Sequence, residues 1–289
     1  MASLSQWFSA ARPRTLPAAL APVLVGSGAA AALDSFNVGR ALLCLVVSLS
    51  LQIGVNLAND FSDGIRGTDA VRVGPTRLTA SGGATATTVK QMAFGFFALG
   101  GVAGVALAVQ TTPWIILVGA VSILAAWFYT GGPRPYGYAG YGEVFVFTFF
   151  GLVAVLGTTY VQAGRLSATA IAAAIGIGLL ACALLVANNL RDVTTDAAVG
   201  KRTLAVILGA PVTRRIFALM ILVAFLAIIV VGIAHPWCLL ALLAAPLALP
   251  PIRSTLHGAT GQDLIAVLGA TGRLELAYAV ALTVGLFLD

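Results

Sequence analysis

Ser50-Leu51-Gln52-Ile53-Gly54-Val55-Asn56-Leu57-Ala58-Asn59-Asp60-Phe61-Ser62-Asp63 is the end of an apolar run that turns abruptly into amides and acids. The run starts at Ala41 and carries no charge as far as Ala58, close to the ~20 residues a helix needs to cross a bilayer. Acidic groups at the edge of such a run are costly to insert, and they mark a function more often than a structural need.

Working outward, the whole chain has the same character. Of its 289 residues 60% are hydrophobic and 9% charged, with a mean hydropathy of +1.00. A soluble domain carries roughly 25% charged residues, so there is too little polar surface here to cover a water-soluble globule. The apolar runs are continuous rather than alternating, which excludes a β-barrel. The reading is an all-α integral membrane protein, a single polytopic domain over residues 1–289. Hydropathy gives nine transmembrane helices: Leu16–Leu33, Ala41–Ala58, Val89–Val109, Trp114–Tyr129, Val144–Val161, Ala170–Leu190, Ile216–Ile233, Trp237–Ile252 and Leu268–Leu288. Pro250-Pro251 is expected to close the eighth, and Arg273 and Glu275 interrupt the start of the ninth.

The net charge of +6 is not read as nucleic-acid affinity, because basic residues in membrane proteins mark cytoplasmic loops. With nine spans and a cytoplasmic N-terminus, all of the 16 Lys and Arg except Arg40 and Arg165 fall on the cytoplasmic side. That asymmetry supports both the count and the orientation. Cys44, Cys182 and Cys238 lie in or beside apolar runs and have neither disulfide nor metal spacing.

Five of the ten acids lie in two stretches. The first, Asn56 to Asp69, holds Asn56, Asn59, Asp60 and Asp63, spaced to share one helical face, and Asp69 beyond them. The second, Asn188-Asn189-Leu190-Arg191-Asp192-Val193-Thr194-Thr195-Asp196, places Asn188, Asp192 and Asp196 on one face. Carboxylates one turn apart repel each other, and a divalent cation removes that penalty. Oxygen donors favour Mg2+ or Ca2+ over zinc, and Mg2+ commonly completes its shell with substrate phosphate. Arg66, Arg72, Lys201 and Arg202 are close enough in sequence to hold further phosphate charge. The bland reading is a set of solvated loop charges; the rival from another class is an ion-coupled transporter. A transporter site belongs near the midplane, often at a broken helix, whereas both stretches here sit at helix ends on one side.

At these residues the sequence resembles the UbiA superfamily of intramembrane prenyltransferases: Asn59-Asp60-x-x-Asp63 and Asp192-x-x-x-Asp196 look like its two aspartate-rich motifs. Further stretches are similar to its 1,4-dihydroxy-2-naphthoate polyprenyltransferase branch, in the actinobacterial form. They are Ala11-Arg12-Pro13-Arg14-Thr15, Tyr129-Thr130-Gly131-Gly132-Pro133, Asn188-Asn189-x-Arg191-Asp192 and Gly200-Lys201-x-Thr203. The resemblance implies nine helices around a central cavity in a bacterial plasma membrane. It implies polyprenyl diphosphate held at the cytoplasmic mouth by two Mg2+, with Asn59, Asp63, Asp192 and Asp196 as ligands and Asp60 among the reacting groups. Asn56, Arg66, Arg72, Asn188 and Lys201 are the remaining candidates for substrate contact. Tyr129 and Tyr136 are candidates for stabilising the allylic cation; their other reading is an interfacial aromatic belt. The implied acceptor is a dihydroxynaphthoate, prenylated with loss of CO2, whose carboxylate would meet Arg134 or Arg72. Sibling acceptors such as 4-hydroxybenzoate share the diphosphate half of the site. The prenyl tail is expected in an apolar groove beside Phe145, Phe147, Phe149 and Phe150, or these rings are lipid-facing filler. One departure is Gly67 at the position where the first motif often carries a further acid, which falls here at Asp69.

Overall fold

The computed structural model describes residues 2–67 and 77–289. Arg72 and Asp69 therefore lie outside the described residues. Helices are the only regular structure among the described residues apart from turns and loops, with no strand. In chain order the helices are α1 (Leu4–Ala10), α2 (Pro17–Ala31), α3 (Val38–Arg66), α4 (Ala86–Gln110) and α5 (Ile115–Phe128). They continue with α6 (Gly142–Ala163), α7 (Ala168–Arg191), α8 (Val193–Ala198), α9 (Leu204–Leu208), α10 (Ala210–Ala234), α11 (Pro236–Leu256) and α12 (Asp263–Leu288).

Among the described residues seven helices are long and apolar enough to cross a membrane: α3, α4, α6, α7, α10, α11 and α12. The first and fourth expected spans fall on α2 and α5, which are apolar but shorter. Two local expectations are corrected. Pro250 and Pro251 do not end a helix: α11 winds as a tight 3-10 helix to Ala248 and then continues as an α-helix to Leu256. The prolines sit in the first turn of that α-segment, at the junction where the hydrogen-bond ladder changes from 3-10 to α. Nor do Arg273 and Glu275 interrupt α12, which starts at Asp263 and buries Glu275 completely.

α7 is the most deeply buried of the long helices. It presents Ala173, Ala174, Ala183 and Ala187, all inaccessible, to a core shared with α2, α10, α11 and α12. Between helices in lipid there is little hydrophobic drive, and close packing of small residues takes its place. Gly151 of α6 meets Gly178 of α7 in this way, where an added Cβ would lie 2.6 Å from the facing Cα. Around this contact α6 widens into a π-helical stretch, Phe147–Leu156, a form that is rare and concentrated at functional sites. A second core, built on Leu57, Ala58, Leu78, Val89, Ala93 and Phe97, joins α3 to α4. α3 runs unbroken through the first acidic stretch to Arg66 and is closed by Gly67 at φ 73, the left-handed cap that glycine adopts without strain.

Candidate active site

The end of α3 buries Asn56, Asn59, Asp60 and Asp63, each 7% exposed or less. They do not act as one set. Asp60 turns to the flank of the helix, where its two carboxylate oxygens accept from the backbone N–H of Leu78 (2.8 Å) and of Thr79 (2.9 Å). Asp60 thus ties down the segment that carries Arg77, whose guanidinium lies 3.6 Å from Asp63. Asp63 also accepts a 2.6 Å hydrogen bond from the Tyr138 hydroxyl. Asn59 accepts through Oδ1 from the Thr130 hydroxyl at 2.7 Å. Asn56 donates to the Ala11 carbonyl and to the Thr15 hydroxyl, fixing the N-terminal segment against α3.

The second stretch forms the α7–α8 junction. Asp192 sits between the helices at φ −97 and ψ 5, a sparsely populated region frequent at active sites. Arg191 grips it with two hydrogen bonds of 2.8 and 2.7 Å and reaches the Asn188 side chain at 2.8 Å. Asp196 is 3.5 Å from the Lys201 ammonium. The stretches are linked through one ring: Lys201 lies 5.2 Å from the centroid of Tyr138, whose hydroxyl holds Asp63.

Both stretches open on one cavity of about 1980 Å³, its open mouth included. Its polar end is lined by Arg12, Asn56, Asn59, Asp63, Arg77, Asn188, Asn189, Asp192, Asp196 and Lys201. Further in, the wall is aromatic and then aliphatic: Tyr129, Tyr136, Phe145, Phe149 and Phe150, then Val23, Leu107, Ile115 and Val161. Tyr136 stacks on Phe145 with centroids 3.8 Å apart and donates to the Ala125 carbonyl at 2.8 Å. Burial pushes its phenol above the ordinary tyrosine value. The ring therefore presents a neutral π-face.

Several expected residues lie elsewhere. Arg134 is exposed and is not part of the cavity wall. Arg66 donates to the carbonyls of Thr130 and Gly132 and lies over the Tyr138 ring, so it braces the loop rather than lining the cavity. Phe147 packs at Gly178, off the cavity, while the other three phenylalanines line it. Arg12, Arg77 and Asn189 line the cavity without having been singled out as site residues. Arg12 carried one signal, its place in the Ala11–Thr15 motif. Arg77 carried none, because Asp60 brings it in through backbone bonds that sequence does not display.

The donor set at the mouth is hard oxygen from carboxylates and amides, with basic side chains beside it. Among the described residues no three His, Cys, Asp or Glu gather closely enough to hold a metal alone. This fits Mg2+, which is usually held by one or two carboxylates together with substrate phosphate and water.

The sequence model of the UbiA prenyltransferase family matches residues 19–268. The chain belongs to the UbiA prenyltransferase family. Within it, the chain is 53% identical over 281 residues to the 1,4-dihydroxy-2-naphthoate octaprenyltransferase of Mycobacterium tuberculosis, covering 97% of this chain and 96% of the relative. It is 37% identical to the Escherichia coli enzyme of the same name, covering 91% and 94%. The fold is shared with a UbiA homolog from Aeropyrum pernix (TM-score 0.71, 14% identity, 94% and 97% covered). It is shared also with one from Archaeoglobus fulgidus bound to DMAPP and Mg2+ (TM-score 0.66, 17% identity, 96% and 99% covered).

Proposed function

We propose that this family member transfers a polyprenyl group from polyprenyl diphosphate to 1,4-dihydroxy-2-naphthoate, with loss of CO2, to give demethylmenaquinol. The single observation that carries the reading is the polarity gradient of one cavity, with two acid groups and basic side chains at its mouth and aromatic then aliphatic walls beyond. The named activity of the mycobacterial relative supports the same acceptor.

The chemistry follows from that gradient. The allylic C–O bond breaks with its electron pair leaving on diphosphate, a ring electron pair forms the new C–C bond, and departing CO2 returns a pair to the ring. Asn59 and Asp63 on one side, and Asp192 and Asp196 on the other, would hold two Mg2+, one per motif. Bound there, the metal supplies Lewis acidity to the leaving diphosphate. Lys201, Arg77 and Arg12 face the same mouth and take up remaining phosphate charge. The faces of Tyr129, Tyr136 and Phe145 stabilise the developing allylic cation, and the apolar wall keeps water from it. The tail follows that wall towards the lipid. We place the enzyme in a bacterial plasma membrane as nine spans with the cavity mouth cytoplasmic. Purified protein incubated with Mg2+, a polyprenyl diphosphate and either dihydroxynaphthoate or 4-hydroxybenzoate tests the reading. Prenylated, decarboxylated naphthalenediol by mass is the expected product; product from the benzoate alone would overturn it.

A further inference from the structure

Asn189, next to the acidic positions of the second stretch, is 5% exposed and lines the cavity. Its amide nitrogen donates to Glu143 Oε1 at 3.0 Å. With the amide nitrogen turned to this carboxyl, the amide oxygen points the other way. The Asn189 oxygen is left as an acceptor on the cavity side. It lies one turn beyond Leu185 of the apolar wall and three positions before Asp192 at the mouth, between the aromatic and the acidic parts of the lining.

Glu143 is held for this task. It lies in the first turn of α6, 7% exposed and away from the cavity wall. Its backbone carbonyl accepts from the Cys182 thiol of α7 at 3.2 Å. Gly142 lets the two helices meet there: a Cβ on it would come within 3.3 Å of Leu185. The second carboxylate oxygen, Oε2, is buried with no hydrogen-bond partner. A buried carboxyl left half-satisfied is destabilising, and its cost points to a role in orienting Asn189 rather than in packing.

We infer that Asn189 is the residue that recognises a phenolic hydroxyl of the aromatic acceptor, accepting its O–H through the amide oxygen, and that Glu143 is the positioning residue that keeps the amide in that orientation. This rests on the prenyl-transfer reading above. The ligand class is a hydroxylated aromatic ring. A methyl ether at the same ring position lacks the proton and leaves the buried amide oxygen unpaired, which a site built for a hydroxyl rejects strongly.

The test uses full-length protein in lipid nanodiscs. Initial rates are measured with dihydroxynaphthoate and with each of its two mono-methyl ethers. Binding of a prenyl thiolodiphosphate with Mg2+ is titrated separately. Asn189→Leu should lower kcat/KM for dihydroxynaphthoate roughly tenfold or more, as expected for one lost substrate hydrogen bond, and shrink discrimination against one ether by a similar factor. Diphosphate binding should stay within about twofold, which also shows that the variant is folded. Glu143→Gln keeps the shape but lets the pair flip, with the introduced side-chain amide donating to the Asn189 oxygen. It should raise KM for the acceptor severalfold and leave diphosphate binding unchanged. Equal losses on both substrates, or unchanged discrimination in both variants, would overturn the inference. No prenylated product from the unaltered protein with any acceptor would instead remove the underlying reading.

Discussion

Asp63 and Asp192 are each buried beside a guanidinium, so replacing either by Ala would take a carboxylate away from a buried cation and confuse stability with chemistry. Asn keeps an acceptor oxygen and removes the charge. Asp63→Asn and Asp192→Asn should each lower kcat by roughly 10²–10³-fold, the scale on which single electrostatic groups act on a developing charge; melting temperature, measured beside kcat, should fall more for Asp192→Asn, whose two carboxylate oxygens both accept from Arg191. Asp60→Asn should behave differently. One carboxylate oxygen becomes an N–H2 facing a backbone N–H of Leu78 or Thr79, and the segment after residue 77 is released. Faster hydrogen exchange at Leu78 and Thr79, with about a tenfold loss of kcat/KM for prenyl diphosphate, is the expected pattern. Exchange identical to that of the parent protein would show that the clamp does not hold this segment. The sequence made Asp60 and Asp63 legible as one helical face and Asp192 as part of a second. It did not separate Asp60 from Asp63, because the ~60° between positions i and i+3 of a helix decides which one meets the cavity, and the partners that claim Asp60 lie at Leu78 and Thr79, beyond the end of α3. Arg134 was misread for the opposite reason: it is close in sequence to Tyr129 and Tyr136, yet the loop turns it outward.

At the scale of the helices, hydropathy was a good guide to existence and a poorer one to ends. α3 continues to Arg66, eight residues past the apolar boundary at Ala58, because the helix is held by buried polar contacts once apolar contact runs out. The π-helical stretch of α6 left no mark in hydropathy, since widening a helix changes its register without changing its composition. Its packing does make a demand. The Gly151 Cβ position is blocked by backbone of α7, not by a side chain that can rotate away. Gly151→Val should therefore push α6 from α7 and cost about 1–3 kcal/mol, the range for overpacking. A lowered melting temperature in nanodiscs is the measurement. Gly157→Val, where a Cβ meets nothing within 4 Å, is the control and should have a much smaller effect.

For the molecule as a whole the remaining issue is whether α2 and α5 span. With 15 and 14 residues they are about 21–23 Å long at 1.5 Å per residue, against a hydrocarbon core of roughly 30 Å. Short spans are tolerated where the bilayer thins locally and flanking residues reach the interface. α2 is preceded by a 3-10 turn at Pro13–Thr15, and α5 by Trp114, whose ring is tilted against Tyr160 with centroids 5.1 Å apart. If both span, the chain ends around Arg14 and Arg134 share one side, and Phe36, Gln110 and Arg165 share the other. All five positions are exposed, and the three native cysteines are buried and can be replaced by serine or alanine. Single cysteines introduced as Arg14→Cys, Phe36→Cys, Gln110→Cys, Arg134→Cys and Arg165→Cys should then react with an impermeant maleimide in two groups. Phe36→Cys, Gln110→Cys and Arg165→Cys should label in intact cells, whereas Arg14→Cys and Arg134→Cys should label only after the membrane is opened. Labelling of Arg14→Cys and Phe36→Cys from one side would remove α2 from the spans, and the same result for Gln110→Cys and Arg134→Cys would remove α5. Either outcome would also break the separation of Arg40 and Arg165 from the other basic residues, on which the cytoplasmic mouth of the cavity depends.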